Sequence, residues 1–390
     1  MTAVIAGYAR TPFTRFTGQL AAQPATVLGA HAARAALERA GVSPEQVDSV
    51  VVGQVLQAGA GQNPARQTAV GAGIPLSAPA LTLNAVCLSG AEAITHAVRL
   101  IAAGEAEIVL AVGQESMSLA PHVMPLRAGT KYGTAQLVDT VERDGLSDAF
   151  DQVAMGALTE AGNGALGLGR EEQDVFAAAS HQRAAASAAF LAEEIAPFTV
   201  SSRRGDTVVA ADDGVRADTT AEGLAKLRPS FAADGTITAG NASQITDGAA
   251  ALVLVSAAAA ERLGLQPIAQ VEATAFVAGP DTHLHSQPAR AIAAALAKTE
   301  GIAAADLAAV EINEAFASVG LQSTRELGID AAIVNPHGGA IALGHPIGAS
   351  GARIVGTLAR QLAAAGSGTV GAAGICGGGG QGSALVLRAL

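Results

Sequence analysis

The sequence contains few aromatic side chains and only two cysteines. Aromatic residues make up 3% of the 390 residues, and tryptophan is absent. Two cysteines, Cys87 and Cys376, are too few for a disulfide framework or a cysteine-based zinc site. The core must therefore be built from small aliphatic side chains, and the 46 glycines allow backbones to approach closely.

Basic residues are outnumbered, and no stretch of the chain concentrates them. The 23 Lys and Arg residues stand against 34 Asp and Glu residues, which gives a formal net charge of −11. This balance argues against nucleic acid and anionic membranes as partners. A small anionic ligand would have to be bound by a few local cations and helix N-termini.

Long hydrophobic runs and a secretory leader are also missing from the sequence. The longest apolar runs, such as residues 249–255, are well short of the roughly 18 residues that a membrane helix needs. Met1 is followed at once by a strand-like run at 3–6, without the basic and apolar regions of a signal peptide. We therefore expect a cytoplasmic protein with reduced thiols.

Helical periodicity followed by short β-branched runs recurs along the chain. This pattern predicts α/β layers with buried, mostly parallel strands. A predicted helix at 27–40 precedes a strand at 49–52, and a similar helix at 289–299 precedes a strand at 309–312. The second set aligns with the first without a gap, mostly through its apolar pattern.

A second pair of segments strengthens this repeat. SGAEAITHAVRLIAA begins at Ser89 and SGARIVGTLARQLAA begins at Ser350, and both start with Ser-Gly-Ala before the same helical rhythm. Each is followed by a predicted strand, at 108–112 and at 369–373. Because the order of elements is kept, we interpret the chain as two similar halves.

The region between the halves differs in character, with loops, Gly-rich turns and one strong predicted helix at 171–192. We read it as an inserted loop domain. The predicted division is an N-terminal half formed by 1–118 plus 249–270, the loop domain at 119–248, and a C-terminal half at 271–390.

Cys87 lies in LTLNAVCLSG, where a predicted strand ends and a helix begins. A thiol at a helix N-terminus has its thiolate stabilised by free backbone N–H groups and the helix dipole, which lowers its pKa. Cys87 is therefore a candidate nucleophile. The alternative is an inert core cysteine.

Cys376 lies in GICGGGGQGS, close to the end of another predicted strand. The glycines that follow it let backbone N–H groups approach a ligand. The same run contains a GxGxxG pattern, but an apolar strand follows instead of the helix that would bind a pyrophosphate. We therefore reject a dinucleotide site.

His345 and Asn313 supply the polar groups that such a site needs. His345 precedes the helix that begins at Ser350, and the repeat places its loop opposite the Cys87 loop. A base beside a thiol is what nucleophilic catalysis requires. Asn313 and Glu314 follow the strand at 309–312, where a site explains them better than packing does.

Other candidates are weaker. His283 and His285 form an HxH pair, but no carboxylate or cysteine cluster accompanies them, so a surface or loop role is favoured over metal binding. Ser89 and Ser243 lack the GxSxG elbow of serine hydrolases and are better explained as turn or ligand contacts.

Eight segments together resemble the successive signatures of the thiolase family, and within it those of acetyl-CoA acetyltransferases. They span nearly the whole chain, and their combination is far more specific than any one of them. In order they read GQVLQAGAGQNPARQ, NAVCLSG, GQESMSLAPH, KLRPSF, GTITAGNASQITDGAA, INEAFA, GGAIALGHPIGASGARI and GICGGGGQGSA.

The resemblance implies a fold and a set of catalytic roles. The fold is a five-layered αβαβα core of two related halves with a loop domain inserted in the first. Cys87 would carry the acyl group, His345 would activate its thiol, and Cys376 would move the proton on the α-carbon of a second acetyl-CoA. One oxyanion hole would comprise His345 and a water held by Asn313, the other the backbone N–H groups of Cys87 and Gly378.

The resemblance also implies substrate contacts and partners. Ser243, Ala315 and Phe316 match positions along the pantetheine channel, Arg216 matches a contact to the nucleotide end, and Leu146 and Met155 match substrate contacts. The implied partners are acetyl-CoA, CoA and acetoacetyl-CoA, with no metal or redox cofactor, in a homo-oligomer that is a dimer or tetramer.

Two departures from the family pattern bear on acyl-chain preference. Ala154-Met155-Gly156 stands where many members have His-Met-Gly, and 283–286 replaces a common Gly-Pro turn. The alternatives are therefore a 3-ketoacyl-CoA thiolase that acts on longer chains and, with less support, a non-catalytic CoA-binding scaffold.

Overall fold

Helices and strands alternate along most of the chain, and the computed structural model describes residues 1–203 and 205–390. The strands are β1 (Ala3–Arg10), β2 (Thr14–Arg15), β3 (Ser49–Gly53), β4 (Ala80–Leu83), β5 (Ile108–Ser116), β6 (His122–Val123), β7 (Val138–Asp139), β8 (Phe198–Val200), β9 (Thr207–Val209), β10 (Thr246–Ser256), β11 (Ala269–Ala278), β12 (Ala309–Ile312), β13 (Val370–Gly377) and β14 (Gln381–Ala389). The α-helices are α1 (Ala25–Ala40), α2 (Pro64–Gly71), α3 (Ser89–Ala103), α4 (Met155–Asn163), α5 (Arg170–Ala186), α6 (Ala188–Glu194), α7 (Ala221–Leu224), α8 (Ala257–Leu263), α9 (Gln287–Leu296), α10 (Ala317–Leu327), α11 (Ala340–Leu343) and α12 (Ser350–Ala365).

The helix ends follow local sequence signals. Gly41 ends α1 and Gly104 ends α3, each in the left-handed conformation that glycine adopts without a steric penalty. The strong helix expected at 171–192 is in fact two helices, because the backbone at Ser187 leaves the helical conformation (φ −101°, ψ 18°) between α5 and α6.

Ten strands form one mixed sheet in the order β12-β13-β14-β11-β1-β10-β5-β3-β4, with β2 beside β10. β3 is parallel to β4 and β5, and β12 is parallel to β13. The strands in the middle of the order are antiparallel, so the expectation of mostly parallel strands is wrong there. β13 and β14 show why: only residues 378–380 join them, too few for the crossover that parallel strands require.

Five layers result from how this sheet folds around two helices. Its two halves meet where β1 pairs with β11 through Val4–Gln270 and Ile5–Ala269. α3 and α12 pack between the halves, and their apolar side chains join both in one central core. α1 and α2 cover the outer face of one half, and α9 covers that of the other. The predicted αβαβα fold is confirmed.

The shared Ser-Gly-Ala start of α3 and α12 has a packing reason. A Cβ placed on Gly90 would lie 2.6 Å from the backbone N of Ala352, and one on Gly351 would lie 2.4 Å from the N of Ala91. Only glycine therefore lets the two helix N-termini touch. This contact sets the loops that precede the two helices side by side.

The segment Val86–Ala103, which contains α3, is apolar and long enough to cross a membrane by length and composition alone. Its mean hydropathy is 1.3 over 18 residues, so the expectation that the chain lacks such a stretch is wrong. In the fold 56% of the segment is buried. Its apolar residues belong to the central core, where α3 contacts β3, β5 and α12.

Residues 119–248 add helices α4 to α7 and two short hairpins to this core. A buried ion pair anchors the segment to β1: Arg10 contacts Glu194 at 2.9 Å and Asp212 at 2.7 Å. β10 begins at Thr246, so the end of the segment already lies in the main sheet. The boundaries given above for the three domains stay a prediction.

The HxH pair does not lie on the surface. His285 is buried, and its Nε2 lies 2.9 Å from Oδ1 of Asn163, at the end of α4. The Nδ1 atoms of His283 and His285 are both buried without a hydrogen-bond partner. The expected surface or loop role is thus a loop role for His285, which lies in the turn at 283–286 and links it to α4.

We predict that Gly90→Ala destabilises the fold. A methyl group there meets backbone atoms that cannot yield, so the free energy of unfolding should fall by about 1–3 kcal/mol, although alanine is otherwise the better helix former. Urea denaturation would measure this. Gly164→Ala is the matched control, because no atom lies within 4 Å of a Cβ at Gly164 and its φ is −62°. A Gly90→Ala protein as stable as wild type would contradict the packing argument.

We predict that His285 makes the fold sensitive to acid. Burial lowers the pKa of His285 to about 4, whereas in the unfolded chain it is about 6.5. Below about pH 6.5 the unfolded state therefore binds a proton that the folded state refuses, and stability falls with pH down to about 4.

His285→Gln keeps a donor for Asn163 and removes this titration. Its free energy of unfolding should fall less between about pH 7 and about pH 5 than that of wild type, as measured by urea denaturation at each pH. The exposed His122, replaced by Gln, is the control. Equal acid sensitivity of wild type and His285→Gln would contradict the prediction.

Candidate active site

Cys87 lies in a tight turn between β4 and α3 that Ser89 stabilises. The Ser89 hydroxyl accepts from the N–H of Ala85 (2.9 Å) and donates to the carbonyl of Val86 (2.6 Å). The turn role expected for Ser89 is confirmed. Val86 has φ 52°, a conformation that is costly for a β-branched side chain. Strain of this kind is typical of positions where a turn aims a reactive group.

The environment of Cys87 does not favour a free thiolate. Burial raises the pKa of Cys87 to about 12, the charge of Glu115 adds to the effect, and the backbone N–H groups of Cys87 and Gly378 only partly oppose it. The predicted lowering of this pKa is therefore wrong, because desolvation outweighs the N–H groups. A nucleophilic Cys87 needs a base to take its proton.

Cys376 is buried in β13, one residue before the strand ends. Burial raises its pKa above the ordinary value, and the nearby Cys87 raises it further. The two thiols therefore lie near each other, but their places in the repeat differ. Cys87 precedes α3, whereas the matching position before α12 belongs to the loop of His345.

His345 is a neutral base with one free nitrogen. Its Nδ1 lies 2.6 Å from the Ser350 hydroxyl, which donates to the Pro346 carbonyl (3.1 Å), so Nδ1 carries the proton. Nε2 is buried and has no hydrogen-bond partner among residues 1–203 and 205–390. Burial, and next the charge of Arg353, lower the pKa of His345 to about 3. The free lone pair on Nε2 can accept a proton.

Gln244 positions the His345 loop from the opposite side. Its carbonyl accepts from the backbone N–H of His345 at 3.0 Å. Its side-chain Nε2 donates to the carbonyls of Ile341 (3.0 Å) and Gly214 (3.1 Å). Gln244, two residues before β10, thus fixes the loop of His345.

Asn313 and Glu314 differ in their hydrogen bonding. Both side-chain polar atoms of Asn313 are buried without a protein partner, a state that costs about 1–3 kcal/mol per group unless water or ligand binds there. Glu314 accepts hydrogen bonds from Ser180 (2.6 Å), Asn335 (2.8 Å) and the N–H of Ile341 (3.0 Å). Asn313 is thus free to bind a water, while Glu314 joins α5 to the loops of the site.

Most of the expected substrate contacts collect around Cys376. The N–H of Ser243 donates to the carbonyl of Ala315 at 3.0 Å, which brings these two residues together. An apolar cluster encloses the Cys376 thiol. Its members are Met155, Ile237, Ala242, Leu284, Ala315, Phe316, Val319 and Cys376.

Leu146 and Gly378 lie on the Cys87 side. Leu146 belongs to the apolar cluster that packs against Cys87, and its carbonyl accepts from the N–H of Met155 at 2.9 Å. A Cβ on Gly378 would lie 3.6 Å from Val86 and 3.9 Å from the Met155 sulfur. Arg216 stands apart: it is exposed, and its N–H donates to Nδ1 of His181 at 3.2 Å.

A cavity of about 1290 Å³ lies between residues 137–152 and the neighbours of the thiols, Val86 and Gly378. Val86, Met155 and Gly378 form its inner end, and the exposed Phe150 lies at its rim. Ser243, Ala315 and Phe316 do not line it. The cavity is thus separate from the surface expected to bind pantetheine.

Sequence reasoning missed Glu115, Gln244 and Ser350. Glu115 ends the apolar run of β5, the same signal that drew attention to Asn313, so it could have been found. Gln244 acts through contacts with backbone groups of distant segments, whereas Ser350 contacts the His345 ring and the Pro346 carbonyl within its own loop. Their spacing in the sequence carries no sign of those contacts.

Comparison with known proteins agrees with this geometry. The family model described as "Thiolase, N-terminal domain" matches residues 3–258, and the one described as "Thiolase, C-terminal domain" matches residues 265–389. The chain is 55% identical to a probable acetyl-CoA acetyltransferase of Mycolicibacterium smegmatis, over 99% of this chain and 100% of that protein. It is 48% identical to the acetyl-CoA acetyltransferase of Chromobacterium violaceum over the full length of both, and 45% identical to that of Shinella zoogloeoides over 99% of both.

These matches cover nearly every residue from β1 to β14, including both thiols and the His345 loop. With the five-layered fold and the convergent site, they lead to one conclusion: the chain belongs to the thiolase family.

Proposed function

We propose that the protein is an acetyl-CoA acetyltransferase, which joins two acetyl-CoA molecules reversibly into acetoacetyl-CoA and CoA. One observation carries the proposal: the half-buried Cys87, with the buried Cys376 nearby, packs against Ile347 in the loop of His345. Among the described residues, neither Nε2 of His345 nor the Asn313 side chain has a hydrogen-bond partner. The names of the relatives above support the choice of acetyl-CoA.

In the first half-reaction Cys87 takes the acetyl group. His345 Nε2 accepts the thiol proton as the Cys87 sulfur attacks the thioester carbonyl, and the proton then passes to the sulfur of the departing CoA. The backbone N–H groups of Cys87 and Gly378 stabilise the oxyanion that forms. Because burial disfavours a free thiolate, proton transfer and attack are coupled.

In the second half-reaction His345 Nε2 accepts the proton of Cys376 in the acetyl-enzyme, and the Cys376 thiolate that this forms removes a proton from the α-carbon of another acetyl-CoA. Burial makes this thiolate a strong base, which suits a weakly acidic C–H group. His345 and a water on Asn313 stabilise the enolate, which attacks the acetyl carbon. Collapse of the adduct breaks the C–S bond to Cys87, and the departing Cys87 sulfur takes the proton held on His345, which restores both thiols and the neutral imidazole.

Substrate binding uses the remaining residues. Ser243, Ala315 and Phe316 contact pantetheine, Leu146 and Met155 flank the thioester, and the exposed Arg216 offers a cation to the nucleotide end of CoA. CoA thioesters enter as substrates and need no metal or redox cofactor. A cytoplasmic location and a dimeric or tetrameric assembly stay predictions.

The cavity at residues 137–152 favours a second candidate, a 3-ketoacyl-CoA thiolase for longer chains. Its inner end at Val86 and Gly378 borders the place of the acyl group on Cys87, and its volume of about 1290 Å³ could hold an alkyl tail. A non-catalytic CoA-binding scaffold has less support, because all members of the proposed set are present.

We predict that acetyl-CoA acetylates Cys87. Intact-protein mass spectrometry after incubation with acetyl-CoA should show one acetyl group on wild type and none on Cys87→Ala. Cys376→Ala should still be acetylated, but acetoacetyl-CoA formation should fall by at least about a hundredfold, since its acid–base group is gone. Acetylation of Cys87→Ala at the wild-type rate would overturn the role of Cys87, and normal condensation by Cys376→Ala would overturn that of Cys376.

Thiolysis rates separate the two candidate substrates. For an acetyl-CoA acetyltransferase, kcat/KM should be higher for acetoacetyl-CoA than for a longer 3-ketoacyl-CoA, measured with the same CoA concentration. A marked preference for the longer chain would instead support the second candidate and assign the cavity to the tail.

A further inference from the structure

Glu115 is a buried carboxylate at the end of β5, between the Cys87 turn and the His345 loop. Its Oε2 accepts hydrogen bonds from the backbone N–H groups of Val55 (3.0 Å) and Gly348 (3.0 Å), and its Oε1 accepts one from Leu56 (3.1 Å). Three donors from two separate segments thus converge on one side chain that the half-reactions above do not use.

These three donors belong to the segments that enclose Cys87. Val55 and Leu56 follow β3, and with Met117 and Ile347 they form the apolar cluster that packs against Cys87. Gly348 follows His345 by three residues in the same loop. Glu115 therefore holds the base-bearing loop and the wall of the nucleophile in one arrangement.

The contact with Gly348 depends on close packing. A Cβ on Gly348 would lie 2.7 Å from the Gln114 carbonyl oxygen and 2.8 Å from Oε2 of Glu115. The glycine is therefore needed for its N–H to reach the carboxylate, and the loop of His345 is fitted to β5 at this point.

The donor pattern also defines the charge of Glu115. Backbone N–H groups can only donate, so an ionised carboxylate satisfies all three and a protonated one would not. The titratable groups facing it are Asp247 on β10 and the Cys87 thiol. Asp247 is negative when it is ionised, and Cys87 becomes negative when it loses its proton. The negative charge on Glu115 therefore opposes ionisation of Cys87.

We propose that Glu115 is a positioning residue of this site: it holds the His345 loop against the Cys87 turn, and its charge keeps Cys87 protonated until His345 accepts the proton. The part of this proposal that concerns the positioning of a condensation site rests on the proposed function. The part that concerns the effect of the Glu115 charge on Cys87 is independent of that function, and it can be measured without any substrate.

Burial raises the pKa of Glu115 to about 7, although its three hydrogen bonds lower it in part. Above about pH 7 the side chain is ionised and disfavours the Cys87 thiolate. Below about pH 6 it is protonated and the effect disappears. Removal of the charge should therefore accelerate reactions of the Cys87 thiolate only on the alkaline side.

The test compares Glu115→Gln with wild type in the full-length enzyme without CoA. Alkylation of Cys87 by iodoacetamide, followed by mass spectrometry, should be at least about threefold faster in Glu115→Gln near pH 8 and equal near pH 6. In the same variant, kcat for condensation should fall at least about tenfold because an amide cannot satisfy three N–H donors.

Two further variants separate charge from position. Glu115→Asp keeps the charge but shortens the side chain, so its alkylation rate should match wild type while kcat falls. It also provides a test if Glu115→Gln does not fold. Glu92→Gln is the control, because Glu92 is a buried carboxyl on α3 that accepts from Ser383 (2.7 Å) rather than from the loops of the site.

The outcomes are distinct. An alkylation rate in Glu115→Gln equal to wild type at every pH overturns the role of the charge, and unchanged kcat in both Glu115 variants overturns positioning. If wild type is not acetylated by acetyl-CoA, the proposed function fails instead, while the alkylation comparison still decides the role of the charge.

Discussion

The structure depends on one close contact, the meeting of the N-termini of α3 and α12 at Gly90 and Gly351. Each helix is the central crossover of one half of the chain, and each loop before it carries a functional residue, Cys87 in one and His345 in the other. A pair of side chains here would separate the helices and hence the two loops. The internal repeat is therefore also the means by which Cys87 and His345, the proposed nucleophile and its base, come together from positions more than half the chain apart in sequence.

Because the site lies between the two halves, its side chains are shielded from water, and this has an electrostatic consequence for the proposed chemistry. Desolvation disfavours every charged form in the site: it raises the pKa of both thiols and lowers that of His345. Cys87 and His345 therefore rest as a thiol and a neutral imidazole rather than as an ion pair. In the proposed reaction the oxyanions form where hydrogen-bond donors are already in place, at the N–H groups of Cys87 and Gly378 and at Asn313. Preorganised donors of this kind cost no reorganisation during the reaction.

Much of this was predictable from sequence because it follows local periodicity. The helices that begin at Ser89 and Ser350 and the strand Ala309–Ile312 were predicted from their apolar patterns, and Cys87, His345 and Cys376 from their places at element ends. The antiparallel centre of the sheet was not predicted, because strand direction depends on connections that the apolar pattern does not encode. The predicted lowering of the Cys87 pKa was also wrong. The sequence indicated a helix N-terminus with free N–H groups at Cys87, but it did not indicate how strongly the thiol is desolvated. Glu115 shows the same limit, because its partners lie on segments distant in the chain.

The two departures from the family pattern form one unit in space. Met155 begins α4, and Asn163 at the end of that helix accepts from His285, while Leu284, one residue earlier, packs with Met155 in the cluster around Cys376. The two departures therefore adjoin each other in space, as one alteration of the wall beside Cys376. The thiols, His345 and Asn313 are untouched by it. Because the departures lie in this wall and not in the proposed catalytic set, we expect them to affect acyl-chain preference rather than the type of reaction.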